Sequence, residues 1–295
     1  MTQHQPKAVF FAFLAAALYA LNSPFSKLLL DRIPPTMMAA FLYLGAGLGL
    51  FLLGVFGILT GKPTKELPLT RRELPFTIGM IVLDIAAPVF LMLGLTMTTA
   101  ANASLLNNFE IVATSLIALV IFREAVPKRL WLAIGLVTLS SILLSFEDMS
   151  SLSFSWGSLF VLLACVCWGL ENNCTRMLSS KNPLQIVVIK GFGSGTGALI
   201  LALATGERFP VLWAVLCALL LGFVAYGLSI YFYIYAQRYL GAAKTSTCYA
   251  VAPFIGTGLS LLIFRELPSA VFLIALAIMI AGTYFASTDG RDSAE

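Results

Sequence analysis

The sequence predicts an all-α membrane protein with ten transmembrane helices in two inverted five-helix repeats. The first observation behind this prediction is composition: 59% of the 295 residues are hydrophobic and 11% are charged, whereas charged residues make up about 25% of a soluble domain. The second is length, because a spanning helix needs about 20 apolar residues, which leaves room for about ten spans with short connections. The third is an internal repeat. These observations exclude a soluble enzyme domain, a disordered chain and a disulfide-stapled secreted module.

Ten apolar segments separated by short breaks make up the predicted spans. Proline and glycine mark the breaks, as in Ile33–Pro35, Gly61–Pro63 and Lys181–Pro183. The first segment follows Lys7 as a signal peptide would, but it is too long for one and leads directly into further spans. We therefore expect it to remain as an anchor. The predicted spans lie near residues 8–30, 35–59, 75–96, 101–122, 128–146, 157–178, 184–205, 210–236, 241–264 and 267–287.

The charge distribution predicts the orientation and argues against nucleic acid as a partner. The formal charge of +4 comes from Lys and Arg in short loops, without one basic face. Positively charged short loops remain in the cytoplasm. If the N-terminus is inside, thirteen of the 18 Lys and Arg residues fall on the inner side, Lys190 lies within a span, and four are outside: Lys27, Arg32, Arg208 and Arg265. We therefore expect a multi-pass protein of the bacterial inner (plasma) membrane with both termini in the cytoplasm.

An internal repeat relates the two halves of the chain. Residues 13–52 align without gaps to residues 162–201 at an offset of 149. Farther along, the offset is 142, and it pairs Ile-Phe-Arg-Glu at 121–124 with the same four residues at 263–266. The change of offset falls in the longer loop of the first half.

Each repeat contains five spans, and we place the repeats at residues 8–146 and 157–287. Because five is odd, the second copy enters the membrane from the opposite side, which gives inverted repeats. Two inverted halves can rock about a site near the midplane and expose it to each side in turn. This arrangement predicts a transporter, and the alternatives left open are a non-transporting membrane scaffold or sensor and a channel.

Several segments resemble a known family. The first helix of each half carries an aromatic residue, within Leu18–Pro24 and Cys167–Asn173. The fourth helix begins with the small residues of 99–104, the fourth helix of each half ends with Phe-Arg-Glu, and the second half has a proline in Tyr249–Pro253. With these features, and over roughly residues 8–287, the sequence resembles the ten-helix drug/metabolite transporters (DMT superfamily) built from two EamA-type repeats. The resemblance implies a central cavity lined by helices 1, 3, 4, 6, 8 and 9.

Four ionisable residues fall inside predicted spans and away from their ends: Asp84, Glu110, Glu171 and Lys190. A charged Asp, Lys or Arg at the centre of a span costs about 2.5–3.5 kcal/mol, so such residues normally face the bundle interior, a water-filled cavity or a partner. Glu110 is the strongest candidate, because it shares one helical stripe with Asn107 and Thr114. In addition, Ile111 follows Glu110 where the second half has Pro253. This departure from the family pattern puts a mirror-symmetric mechanism in doubt.

The charge balance of these residues suggests a mechanism. Three acids against one lysine favour proton uptake or a cationic substrate, since burial disfavours the charged form of a carboxyl group. Glu110 or Glu171 could bind a proton from one side and release it to the other, in competition with a cationic or zwitterionic metabolite. For Lys190 we expect an ion pair with Glu171 or extension toward the headgroups. For Asp84, function and local pairing both stay open.

Aromatic residues at matched repeat positions predict the rest of the pocket. An ammonium group is attracted to an aromatic face within about 6 Å, although Trp and Tyr are also the ordinary residues of membrane interfaces. The equivalent pairs are Tyr19 with Trp168, Asp84 with Tyr226, and Asn107 with Tyr249. The predicted substrate-binding set is therefore Tyr19, Asn22, Asp84, Asn107, Glu110, Trp168, Glu171, Tyr226 and Tyr249.

Prolines and glycines predict moving and packed parts. Pro24, Pro88 and Pro253 interrupt spans 1, 3 and 9, and each frees a backbone carbonyl that can bind substrate or absorb a hinge. The glycines indicate close helix packing, and they are Gly45, Gly47, Gly49, Gly191, Gly193, Gly195 and Gly197.

Missing motifs narrow the function further. No phosphate-binding loop of the GxxxxGK[ST] type is present, so we expect no direct use of ATP. The single histidine, His4, lies in the tail, and Cys165, Cys167 and Cys174 are expected to be small apolar fillers. We therefore predict no cofactor, no metal and no enzyme activity. The expected task is efflux of an amino acid or related amine-bearing metabolite, by a monomer or a homodimer.

Overall fold

The protein is described by a computed structural model that covers residues 5–59, 67–122, 128–148, 153–178, 181–240, 245 and 248–288. Within these residues, eight helical regions are long and apolar enough to cross a membrane, and two shorter apolar helices follow near the C-terminus. They correspond in order to the ten predicted spans, so the predicted fold class is confirmed. The Gly61–Pro63 break, Arg123, Glu124 and the start of the predicted ninth span at residues 241–244 lie outside the described residues.

We number the spans 1 to 10 along the chain. Spans 1, 4 and 8 each contain more than one helical segment. The bounds are Gln5–Ala20 and Asn22–Leu29 (span 1), Pro35–Leu59 (span 2), Leu74–Met97 (span 3), Ala100–Leu106 and Phe109–Phe122 (span 4), Lys128–Ser145 (span 5), Trp156–Leu178 (span 6), Pro183–Ala204 (span 7), Leu212–Gly222, the π-helix Phe223–Leu228 and Ser229–Leu240 (span 8), Ala252–Phe264 (span 9), and Ala270–Thr288 (span 10).

A short antiparallel strand pair joins the two repeats, which the sequence did not predict. Strand β1, Phe146–Asp148, pairs with β2, Ser153–Phe154, between spans 5 and 6. The N–H of Ser155 continues this pairing by donating to the carbonyl of Ser145 at 2.8 Å. Backbone groups of this connection are thereby satisfied outside the helices.

Local capping explains where spans 2 and 7 begin. The Asn182 side chain accepts the N–H of Leu184 at 3.0 Å, with Pro183 in the first turn of span 7. After span 7 the chain turns at Gly206, whose φ of 77° lies in the left-handed region that favours glycine. The turn brings the Glu207 carboxylate to the start of span 2, where it accepts the N–H of Met37 at 2.8 Å and that of Thr36 at 3.1 Å. A carboxylate at this end of a helix also interacts favourably with the helix dipole.

Contacts between spans 2 and 7 show that the repeats run in opposite directions. A Cβ on Gly54 would lie 2.8 Å from Leu184, whereas a Cβ on Gly47 would lie 3.0 Å from the backbone of Gly191. Residue numbers thus fall along span 2 as they rise along span 7. The same holds for spans 5 and 10, where the Ser140 hydroxyl donates to the Ala275 carbonyl at 2.7 Å and a Cβ on Gly282 would lie 3.1 Å from the backbone of Val137. The two five-span copies are therefore inverted.

Glycines allow the closest of these contacts, as predicted. The backbones of Gly47 and Gly191 meet directly, so that a side chain on either residue would overlap the other helix. Gly195 packs against Leu44 in the same interface, and Gly45 packs against the backbone of Leu219 in span 8. Small residues permit this approach of helix backbones in membranes.

The pattern of helix contacts repeats when each span is exchanged for its equivalent five spans later. Span 3 packs on span 6 as span 8 packs on span 1, and span 4 packs on span 6 as span 9 packs on span 1. Spans 2 and 7, 4 and 9, and 5 and 10 contact their own equivalents. The largest cluster of buried apolar residues extends from Ile33 to Met279 and includes both halves. The apolar core thus lies at the junction of the repeats.

Candidate substrate-binding site

Four spans lose regular α-helical structure near the candidate residues. Span 1 is interrupted at Leu21, span 4 at Asn107–Asn108, and span 9 is preceded by a turn at Ala250–Val251, while span 8 contains the π-helix Phe223–Leu228. Breaks of this kind free backbone groups inside a membrane protein and are found where the chain lines a cavity or is buried in protein. Spans 3 and 6 are each a single helix.

The three candidate hinge prolines differ in their relation to these breaks. Pro24 lies in the first turn of the helix that follows Leu21, and Pro253 lies in the first turn of span 9 after Val251. The helix of span 3 continues through Pro88 from Leu74 to Met97. The expected interruption of span 3 at Pro88 is therefore wrong. The hinge role of all three prolines stays a prediction.

Lys190 holds two buried carboxylates at once. Its Nζ lies 3.0 Å from Asp84 Oδ2 and 3.0 Å from Glu171 Oε1, and all three residues are buried. The Tyr43 hydroxyl donates to Asp84 Oδ1 at 2.8 Å, and the Thr175 hydroxyl donates to Glu171. We call Asp84, Glu171 and Lys190 the ionic triad. The predicted pairing of Lys190 with Glu171 is confirmed, and Asp84 joins the same pair from span 3.

Glu110 lies apart from the triad but close to it. It is in the first turn of the helix that follows the Asn107–Asn108 break, and its side chain is half-buried. The Asn172 amide donates to Glu110 Oε1 at 2.6 Å and lies 3.4 Å from Thr114 Oγ1. Electrostatic interactions connect Glu110 with Glu171 and Lys190 of the triad. The two predicted proton-binding acids, Glu110 and Glu171, thus occupy one region of the bundle interior.

Three predicted tyrosines meet beside this region. The ring centroids of Tyr19 and Tyr249 are 5.7 Å apart, and those of Tyr19 and Tyr226 are 6.1 Å apart. The Tyr226 hydroxyl accepts a hydrogen bond from Asn22 Nδ2 at 3.1 Å. Glu110 interacts electrostatically with all three tyrosines. We call Tyr19, Tyr226 and Tyr249 the tyrosine cluster.

Two predicted residues have a different setting. Trp168 belongs to the main apolar cluster and is only 5% exposed, and no ring contact joins it to the tyrosine cluster among the described residues. Asn107 is buried at the break of span 4, with the Cys165 sulfur 3.9 Å from its Oδ1. The role of both residues in binding stays a prediction.

Several side chains that contact the candidate residues were not predicted from the sequence. Tyr43 stands in an apolar run of span 2, and its ring lies 5.1 Å from that of Tyr226. Asn172 follows Glu171 directly, but only the packing of span 6 on span 4 shows that its amide reaches Glu110. The repeat offset of 149 pairs Ser26 with Thr175, and comparison of these two positions would have pointed to both hydroxyls.

A large cavity opens at one face of the bundle. It has a volume of about 1130 Å³, and its wall includes Lys27, Asn102 and Glu266. The residues that line it come from the ends of spans 1, 3, 5 and 9 and from the starts of spans 4, 6 and 10, which all lie at the face opposite the N-terminus. The Lys27 ammonium donates to the Thr98 carbonyl at 2.9 Å and to the Leu95 carbonyl, and so caps the end of span 3.

This cavity stops short of Glu110. In span 4 it reaches Asn102, which is separated from Glu110 by about 12 Å at the rise of an α-helix. The intervening residues 103–108 are buried. Along span 4, this cavity therefore does not extend to the interior acids in this conformation.

Comparisons with known proteins agree with this architecture. A model of the EamA-like transporter family matches the chain twice, at residues 6–146 and 155–288. An uncharacterized transporter of Methanothermobacter thermautotrophicus is 26% identical over 293 residues, covering 94% of this chain and 85% of the relative. The uncharacterized transporter YyaM of Bacillus subtilis is 22% identical over 201 residues, covering 63% of this chain and 64% of the relative.

A solved structure, described only as the crystal structure of a protein, shares the fold with a TM-score of 0.69 at 17% identity, and the similarity covers 97% of both chains. At this identity the similarity concerns the fold alone. Because the family model matches nearly the whole chain, this multi-pass membrane protein belongs to the EamA-like transporter family of the DMT superfamily.

Proposed function

We propose that the protein is a secondary active transporter that exports a small amine-bearing metabolite or amino acid by alternating access. The single observation that carries this proposal is the setting of Glu110. Its carboxylate is half-buried, accepts a hydrogen bond from Asn172 at 2.6 Å and interacts electrostatically with the tyrosine cluster. A carboxylate beside aromatic faces suits an ammonium group.

The charge balance supports a cationic group on the substrate. Lys190 already pairs with Asp84 and Glu171. Among the described residues, no Lys or Arg forms an ion pair with Glu110. An isolated carboxylate in a low-dielectric interior is unfavourable unless it binds a proton or a cation. Glu110 is therefore the proposed site of the substrate ammonium group.

Proton coupling follows from the same carboxylate. A proton on Glu110 removes the negative charge that the ammonium group requires, so proton and substrate compete for one site. Glu171, Lys190, Cys165 and the tyrosine cluster are the titratable groups that act on Glu110. Competition makes the exchange an antiport, in which protons enter as the amine leaves.

The proposed orientation and location rest on the Lys and Arg distribution. With the positively charged loops inside, the termini are cytoplasmic in a bacterial plasma membrane, and the large cavity faces outward. Substrate would then leave through this cavity, past Lys27, Asn102 and Glu266. Labelling of single cysteines at the two faces in intact cells measures this orientation.

Counterflow in liposomes tests the proposed function. Amines and amino acids are first screened for thermal stabilisation of the purified protein, and the best ligand is then used radiolabelled, with and without a pH gradient. We expect saturable, pH-dependent exchange that Glu110→Gln abolishes, because the substitution keeps the hydrogen-bonding shape but removes the charge. A non-transporting scaffold would show no exchange, and a channel would show conductance without counterflow.

Glu73→Gln is the matched control. Glu73 is a carboxylate near the start of span 3 that pairs with Lys181 at 3.3 Å, far along the chain from Glu110. Glutamine also preserves the capping interaction with Thr70. If Glu110→Gln exchanges substrate as fast as Glu73→Gln, and with the same pH dependence, Glu110 does not bind the substrate.

A further inference from the structure

The ionic triad holds a cation that belongs to the protein itself. Lys190 Nζ is equally distant from Asp84 and Glu171, at 3.0 Å from each. Tyr43 and Thr175 donate hydrogen bonds to the two carboxylates. A primary ammonium group between two carboxylates is the coordination that a small amine ligand would receive here. The Lys190 side chain already fills this place.

The triad also lies next to the proposed substrate carboxylate. Asn172, which binds Glu110, is the neighbour of Glu171 in span 6, and Glu110 interacts electrostatically with Glu171 and Lys190. A flexible ligand with two ammonium groups could bind Glu110 with one group and the carboxylates of Asp84 and Glu171 with the other. In this structure the second place is taken.

We infer that Lys190 acts as a tethered cation that restricts the site to ligands with a single ammonium group and excludes diamines. The restriction rests on the proposed function, because Glu110 must bind the first ammonium group. The occupation of the triad by a replaceable ammonium group does not depend on Glu110. The two statements can therefore be tested separately.

Removal of the Lys190 ammonium group tests whether a free ammonium ion can take its position between Asp84 and Glu171. Lys190→Ala deletes the equivalent of a propylammonium ion and leaves two buried carboxylates without a cation, which is strongly unfavourable. We expect the melting temperature of the purified protein to fall and n-propylammonium to restore it. The n-propylammonium concentration that gives half of the maximal stabilisation should be at least about tenfold lower for Lys190→Ala than for the unaltered protein. A tenfold difference corresponds to about 1.4 kcal/mol.

Lys190→Met and Lys190→Arg are matched controls. Methionine removes the charge but fills the space, so n-propylammonium should stabilise Lys190→Met far less than Lys190→Ala. Arginine keeps a cation in place, and Lys190→Arg should not respond. If n-propylammonium stabilises Lys190→Ala no more than Lys190→Met, the inference is overturned.

A second variant covers the case in which Lys190→Ala does not fold. The double variant Lys190→Ala/Asp84→Asn leaves Glu171 as the only charged member of the triad, which restores the net charge of the unaltered triad. We expect it to fold without added amine. If it is as unstable as Lys190→Ala, the uncompensated carboxylates do not cause the loss and the inference fails.

Specificity is measured with linear α,ω-diammonium alkanes of three to six carbons. Thermal stabilisation of Lys190→Ala should be greater with a diammonium ion of suitable length than with the monoammonium ion of the same length. The unaltered protein should show no such preference. Absence of a diammonium preference in Lys190→Ala overturns the restriction. Failure of the proposed function is seen elsewhere, in unchanged counterflow of the Glu110→Gln variant.

Discussion

The repeat relates the contact between spans 1 and 8 to the contact between spans 6 and 3, and each contact joins the two halves, but their chemistry differs. In the first, Asn22 donates to the Tyr226 hydroxyl at 3.1 Å, and Ser26 donates to Asn22 at 3.1 Å. The repeat offsets pair Asn22 with Glu171, Ser26 with Thr175 and Tyr226 with Asp84. Thus Thr175 donates to Glu171 as Ser26 donates to Asn22. A neutral hydrogen bond at one contact between the halves corresponds to the ionic triad at the other.

The helices that form the two contacts also differ in regularity. Span 1 is interrupted at Leu21 and span 8 contains a π-helix around Tyr226, whereas spans 3 and 6 are continuous. A neutral hydrogen bond contributes about 0.5–1.5 kcal/mol, while breaking a buried ion pair costs about 3–5 kcal/mol. The comparison indicates that spans 3, 6 and 7 form the more rigid side of the site, and that spans 1 and 8 rearrange more readily.

Loss of the lysine should have the largest effect. Lys190→Met leaves the carboxylates of Asp84 and Glu171 buried without a cation, and we expect the free energy of unfolding to fall by about 3–5 kcal/mol. Reversible unfolding in detergent by denaturant titration measures the change. A Lys190→Met protein within 1 kcal/mol of the unaltered protein would remove the energetic difference between the two contacts.

The equivalent change on the neutral side should cost less. Tyr226→Phe leaves the Asn22 amide buried without its acceptor, and we expect a loss of about 1–3 kcal/mol in the same titration. Tyr231→Phe is the control, since Tyr231 is 39% exposed in the same span, and it should change stability by less than about 0.5 kcal/mol. If Tyr226→Phe costs as much as Lys190→Met, neutral and ionic contacts are equally rigid.

The packing of span 2 on span 7 lies outside the two contacts compared above and should affect the stability of the whole bundle. Gly191→Ala places a methyl group against the backbone of Gly47, and we expect overpacking to cost about 1–3 kcal/mol. Gly258→Ala in span 9 meets open space and should stabilise the protein by about 0.5–1 kcal/mol, since alanine is the better helix former. Equal effects of the two substitutions would mean that the glycine contact is looser than described.

Substitution of the candidate hinge prolines should have the smallest effects on stability. Its effects on the rate of transport should be larger. Pro24→Ala and Pro253→Ala restore a hydrogen-bond donor beside the breaks of spans 1 and 9, which favours a continuous helix. We expect both to slow counterflow several-fold. Pro88→Ala should change the rate least, because span 3 is already continuous there. The greatest slowing by Pro88→Ala would reverse the assignment of rigid and moving sides.

The fold class could be predicted from the sequence because the apolar runs are local features and occur twice along the chain. Each span is an apolar run long enough to cross a membrane, and the offset alignment relates the halves without any tertiary information. The breaks were predicted only where proline marks them. The break at Asn107–Asn108 and the π-helix at Phe223–Leu228 depend on tertiary packing, which residue type alone does not show.

The candidate site was predictable as a set of residues but not as a set of contacts. Their charge inside apolar spans identified Asp84, Glu110, Glu171 and Lys190. The sequence could not decide which acids the lysine pairs with, because that depends on how each helix is rotated in the bundle. Repeat equivalence did not show which of the matched aromatic residues contact one another in the folded protein. Trp168 matches Tyr19 in sequence position but is packed in the apolar cluster.

Antiparallel pairing of spans 2 and 7 has an evolutionary consequence. Helices that meet their own equivalents across an axis form an isologous interface, so that a half-length ancestor could have assembled with an identical copy of itself. In such an assembly every substitution is present twice, and a lysine at the position of Lys190 would also stand at the position of Phe41. A single chain that contains both copies is free of this constraint, because each side is encoded separately and a lone charge can stand on one side only.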